Sequence, residues 1–136
     1  MKTHLSPYLN FNGKCREAMT FYQACLGGEL TLQKIAESPM GAQLSAEAGN
    51  HILHSHLRHG ALELMGSDMM GAGVVRGNQV TLCLNCSGDQ EIRTFFSRLS
   101  DGGQVITPLH QSFWGATYGE LTDKFGMTWM LSYAKD

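Results

Sequence analysis

Three side chains in the stretch HSHLRHGALELM are of types that can act together. His54 and His56 alternate along one extended run, and Glu63 lies on a second run joined to the first by His59-Gly60. A two-residue connection of this kind closes a tight hairpin. Loop length sets register, so Arg58 pairs with Ala61, Leu57 with Leu62, His56 with Glu63 and His54 with Met65. Residues directly opposite share a face, which points His54, His56 and Glu63 the same way. Two imidazoles and a carboxylate so placed can hold a divalent metal ion. They serve equally as a general base, Glu63, with orienting partners. An ordinary cross-strand His–Glu pair is the plainer account and is preferred to metal binding. His51 and His59 have the opposite parity and stay outside the set.

Two further groups invite a chemical reading. Cys83 and Cys86 form a C-x-x-C, but they lie in QVTLCLNC, whose alternation sends residues three apart to opposite faces. A second C-x-x-C that would complete a zinc set is missing from the sequence. Cys25 and Cys83 are expected as buried structural thiols; Cys15 and Cys86 are left unassigned. Near the C-terminal end, Trp129 shares the parity of Leu131 and belongs to a core. Trp114 and Tyr118 can wall a ligand, each with an apolar body and a polar tip.

The elements that would carry these groups recur. Leu5 to Phe11 reads as a strand. After Asn12-Gly13, the spacing of Ala18, Phe21, Tyr22 and Cys25 predicts a helix that Gly27-Gly28 stops. Glu29 to Ile35 is a strand, and residues 36 to 50 are a loop with room for a short helical turn. His51 to Arg58 and Ala61 to Ser67 form the hairpin, with Leu53, Leu57, Leu62 and Leu64 on the side a helix covers. After a glycine-rich linker, residues 68 to 78, the order begins again. Gln79 to Cys86 is a strand, and Asp89 to Leu99 a helix with Ile92, Phe95, Phe96 and Leu99 inward. Gly102-Gly103 stops it, and strands follow at Gln104 to His110, Phe113 to Thr122 and Thr128 to Tyr133. An offset of 75 takes Leu9 to Leu84, Asn10 to Asn85, Gly13 to Gly88, Phe21 to Phe96 and Gly27-Gly28 to Gly102-Gly103. The reading is therefore α+β, one domain over 1–136 made of two tandem βαβββ modules, about 1–67 and 79–136. One helix per module leaves one face of each sheet available for a ligand.

Composition removes several function classes. At 136 residues and 43% hydrophobic, the chain can bury a core, and its formal charge of −2 offers no footprint for nucleic acid or an anionic membrane. No run approaches the roughly 20 apolar residues that span a bilayer, and the N-terminal stretch has no signal-peptide core. The expected location is the cytoplasm, with reduced thiols.

The segments YLNFNGKCREAMTFYQACLGGEL, HSHLRHGALELMGSD and FWGATYGELTDKFGMTWML resemble the recurring blocks of the PhnB-like family of the glyoxalase/bleomycin-resistance/dioxygenase (vicinal oxygen chelate) superfamily. W-G-x-x-Y-G followed by T-D-x-F-G-x-x-W-x-L carries the resemblance most specifically, and it covers nearly the whole chain. It implies paired βαβββ modules forming a cup-shaped mixed sheet, a homodimer, and in many members a divalent ion held by His and Glu on the first and last strands of each module. Some members carry a demethylubiquinone methyltransferase label, which the chain does not match with any Gly-rich βα turn for a nucleotide-like methyl donor. Carried over, the ligand positions fall on Glu63, on Met130, on Gln79 or Thr81, and on Ser6, or on His4 after a two-residue slip. A thioether is a poor ligand for such cations, so the tetrad is broken. The expected cavity is ringed by His54, His56, Gln79, Trp114, Tyr118 and Met130. The expected function is binding of a small molecule in the cup between modules, and the alternative is a metal-dependent lyase or isomerase using Glu63 with His54 and His56.

Overall fold

The protein is described here by a computed structural model covering residues 3–39, 41, 45–70 and 73–134; residues 40 and 42–44 of the expected loop and 71–72 of the expected linker lie outside the described residues. The chain divides into two compact units, Met1–Val75 and Arg76–Asp136. Unit one contains β1 (Tyr8–Asn10), α1 (Cys15–Leu26), β2 (Glu29–Lys34), a 3-10 turn (Ile35–Glu37), the short α2 (Ala46–Gly49), β3 (Ile52–His59) and β4 (Leu62–Ser67). Unit two contains β5 (Leu82–Asn85), α3 (Asp89–Ser100), β6 (Gln104–Gln111), β7 (Ala116–Thr122) and β8 (Thr128–Ala134). Both four-stranded sheets have the same order, β1-β4-β3-β2 and β5-β8-β7-β6. In each, the first strand runs parallel to the last and the other neighbours are antiparallel.

Each helix forms because its apolar residues fall in one stripe. On α1 the buried stripe is Cys15, Ala18, Met19, Tyr22, Cys25 and Leu26. Phe21, one of the four residues whose spacing predicts this helix, is only half-buried, and Met19 and Leu26 complete the stripe. On α3 the buried residues are Ile92, Phe96 and Leu99, with Phe95 half-buried. Helix α1 stops at Gly27, whose φ of 83° is left-handed, and His59 Nδ1 donates to the Leu26 carbonyl at 2.8 Å, satisfying a helix-end acceptor. The helix-facing side of the first sheet holds Leu9, Leu57, Leu64 and Ser55, all buried, and Gly66, against which Phe11 and Met19 lie. The Ser55 hydroxyl donates to the Gly66 carbonyl at 2.9 Å, so this buried polar group is bonded.

Several expectations are corrected. The hairpin turn is Gly60-Ala61, so Arg58 pairs with Glu63, Leu57 with Leu64 and His56 with Met65. A slip of two leaves every side chain on its expected face, because the period of a strand is two. Pairing of the first and last strands also moves the internal equivalences: Tyr8 pairs with Met65 and Cys83 with Met130. Met130 is thus the counterpart of Met65, and Thr128 occupies the place of Glu63. Strand β5 starts at Leu82, which leaves Gln79 in an exposed bend ahead of the sheet. Strand β7 starts at Ala116, and residues 112 to 115 turn. Cys83 is exposed, whereas Cys15 is buried. Asp68, read as linker, is buried and staples the unit: its carboxylate accepts from Cys15 N–H at 3.0 Å and Ile52 N–H at 2.9 Å.

Candidate functional site

On the helix-free face of the first sheet the centre is Glu63. Parallel pairing sets Met65 beside Tyr8, so the residues two positions earlier, Glu63 and Ser6, also stand level. Ser6 Oγ donates to Glu63 Oε1, and His4 Nε2 reaches the same oxygen at 3.0 Å. The other oxygen receives His56 Nε2 at 2.7 Å and Arg58 at 3.2 Å. An ionised carboxylate only accepts, so each imidazole carries its proton on Nε2. The Ser6, His56 and Arg58 donors, with His4, hold the Glu63 carboxyl well below the usual carboxylate range, at about 2, against a smaller opposing effect of burial. The side chain is 16% exposed.

His54 shares this face but turns to Tyr8: the phenolic oxygen lies 3.3 Å from His54 Nδ1 and the rings are 5.8 Å apart. The expected trio of His54, His56 and Glu63 is therefore brought onto one face without converging. His4 and His56 flank Glu63 on separate oxygens. Among the described residues, no three His, Cys, Asp or Glu side chains gather in a way that would hold a metal ion. With Thr128 in the place of Glu63, the donor set does not fit the divalent ion that the superfamily implies.

The second unit presents a different face. Tyr118 on β7 donates its hydroxyl to Glu120 Oε1, and that bond, with burial and the nearby negative charge, raises the Tyr118 pKa. Glu120 pairs with Met130 on β8 and is the counterpart of His56. His110 pairs with Tyr118 across β6 and β7, their rings edge-to-face at 5.6 Å. Trp114 extends the aromatic row, 6.3 Å from Tyr118 and 4.9 Å from Phe113. Trp129 is core, as its parity indicates, with its indole N–H on Asp123 at 2.8 Å.

Sequence reading did not single out Tyr8, His110 or Glu120, and it did not pair Arg58 with Glu63. Parity carried the signal for Arg58 and Glu120, since Arg58 alternates with His56 and Glu120 with Tyr118. Tyr8 needed contact between strands that are distant in sequence, and His110 needed the register of the β6–β7 pairing, which shifts between Thr107 and His110.

The sequence model of the family described as 3-demethylubiquinone-9 3-methyltransferase matches residues 3–132. The chain belongs to this PhnB-like family. Among its relatives, Protein YjdN of Escherichia coli K12 is 36% identical, with 96% of this chain and 95% of that protein covered. The crystal structure of protein PA1353 from Pseudomonas aeruginosa is similar at 34% identity and a TM-score of 0.86, covering 99% of this chain and all of that one (100%). A glyoxalase/bleomycin resistance protein/dioxygenase family enzyme from Burkholderia phytofirmans PsJN shares the fold at 13% identity and a TM-score of 0.65, covering 94% and 97%. The PhnB-like chain thus has the glyoxalase/bleomycin-resistance fold, with two four-stranded sheets. Among its described residues, no helix is long and apolar enough to cross a membrane.

Proposed function

We propose that the protein binds a small molecule on the helix-free faces of its sheets and that Glu63 acts there as a fixed anionic anchor. The observation that carries this reading is the four-donor grip on the Glu63 carboxylate. A general base works best with a pKa near the operating pH, and a carboxyl held at about 2 is far from it. It is instead a permanent charge whose position is set before any ligand arrives, which lowers the ordering cost of binding. The family's descriptive name speaks of methyl transfer, yet the connection between β1 and α1 carries a single glycine, Gly13, and offers no Gly-rich cradle for a nucleotide-like methyl donor. The protein is expected to work as a cytoplasmic homodimer, which light scattering on the purified chain tests.

A second reading is favoured by one contact. His56 Nε2 lies 2.7 Å from Glu63 Oε2. With that nitrogen donating, Nδ1 becomes the basic atom, and Glu63 orients the imidazole of a lyase- or isomerase-type enzyme. Protein purified without a His tag, and its Glu63→Gln and His56→Ala variants, separate the two. Native mass spectrometry after incubation with a metabolite extract is expected to show a retained organic ligand, weakened in both variants, with no stoichiometric metal. A stoichiometric divalent ion lost in both variants overturns the passive-binding reading, as does wild-type protein that retains nothing.

A further inference from the structure

The reading that the sheet faces bind small molecules can be sharpened for the second unit, because its face has a specific chemical complementarity. Trp114 is 62% exposed and Phe113 98% exposed, so two large rings stand largely uncovered at the end of a row that continues through Tyr118 and His110. Beside this row lies the half-buried Glu120. Glu63 has Arg58 and two imidazoles around it; Glu120, among the described residues, receives the Tyr118 hydroxyl and has no Lys, Arg or His within ion-pair distance. A partly desolvated carboxylate lacking a counter-ion is stabilised by a cation, and a carboxylate has lone pairs beyond the one Tyr118 uses. Aromatic faces carry negative quadrupole density and attract the same kind of group. Met130, opposite Glu120, adds a soft apolar wall.

We propose that this face recognises an organic monocation, an alkylammonium group seated against Trp114 and Tyr118 with Glu120 as its counter-charge. The inference rests on the small-molecule reading and adds the ligand's class. An organic anion is disfavoured by Glu120, and a neutral apolar group leaves that carboxylate unpaired.

The test is titration of the full chain with (2-hydroxyethyl)trimethylammonium chloride, its neutral isostere 3,3-dimethylbutan-1-ol and the anion 3,3-dimethylbutanoate. Calorimetry gives affinity, and Trp fluorescence reports the place, since Trp114 is exposed and Trp129 buried. The ammonium compound is expected to bind saturably and about tenfold more tightly than the alcohol, with a change in Trp114 emission. Glu120→Gln is expected to lower its affinity about tenfold and Trp114→Leu to weaken it, each with an unchanged circular dichroism spectrum. Glu47→Gln, an exposed carboxylate on α2 of the first unit, should leave the affinity unchanged. Equal binding of the alcohol, preference for the anion, or an affinity indifferent to Glu120→Gln overturns the inference while leaving the general reading intact. Failure of all three compounds to bind also overturns it, and the retained-ligand measurement then decides the general reading separately.

Discussion

Both oxygens of the Glu63 carboxylate are engaged from within the first unit, Oε1 by Ser6 and His4 and Oε2 by His56 and Arg58. A residue type that sequence alone offers as either base or ligand is thereby turned into a standing charge. The cysteines show the same dependence on surroundings. Burial pushes the Cys15 thiol up to about 11, and burial with Glu91 and Cys83 nearby pushes Cys86 up to about 12. Cys25 is buried and Cys83 exposed. The thiolate is the reactive form, so a disulfide reagent at neutral pH should label Cys83 quickly and the other three slowly. Cys83→Ser should remove the fast phase, and a second fast thiol would contradict this account. At this scale, alternation was enough to put Glu63, His54 and His56 on one face and to place Trp129 in the core. It could not pair Tyr8 with His54, because that contact joins strands separated by most of a unit. Nor could it tell that Cys83 lies on an uncovered side.

Two local devices account for the parts of the sequence that mark the family. In T-D-x-F-G-x-x-W, Asp123 is 3% exposed and its carboxylate accepts from Phe125 N–H at 2.8 Å, Met127 N–H at 3.1 Å and Trp129 Nε1–H at 2.8 Å. The motif is thus a stapled turn between β7 and β8, with Gly126 at a φ of 90°. Asp123→Ala strands three donors and is expected to cost on the order of 3 kcal/mol in urea denaturation, and Asp123→Asn less. The repeated Gly-Gly has its own cause. A Cβ on Gly28 would lie 2.5 Å from the Arg58 carbonyl oxygen, and one on Gly103 2.2 Å from that of Thr122. Each pair ends its helix and lets the chain pass close under the neighbouring strand. Gly28→Ala and Gly103→Ala should each destabilise by about 2 kcal/mol, whereas Gly88→Ala, with nothing within 4 Å, should be nearly neutral by the same measurement. The element order was legible because helix periodicity, glycine stops and strand alternation agree. The hairpin slipped by two because His59-Gly60 and Gly60-Ala61 are both acceptable turns and register follows the turn.

The two units share a topology and differ in the chemistry of their open faces, paired charge in one and an aromatic row in the other. Duplication was visible from six matched residues; the divergence was not, because it depends on which strand supplies each carboxylate, Glu63 from β4 and Glu120 from β7. The charge cluster couples to the stability of the fold. Glu63 titrates at about 2 rather than 4.5, so its native interactions contribute fully above the ordinary value and are lost as pH falls toward the lower one. The urea midpoint of the wild type should therefore converge on that of Glu63→Gln across this window, and a constant gap would refute the linkage. Parallel pairing of the first strand of each unit with its last has a kinetic consequence. Leu9 waits for Gly66 and Leu84 for Leu131, so neither sheet can close until nearly all of its unit has been synthesised. The β3–β4 and β7–β8 hairpins, whose partners are neighbours in sequence, are the natural nuclei, and each opening strand is the last to dock.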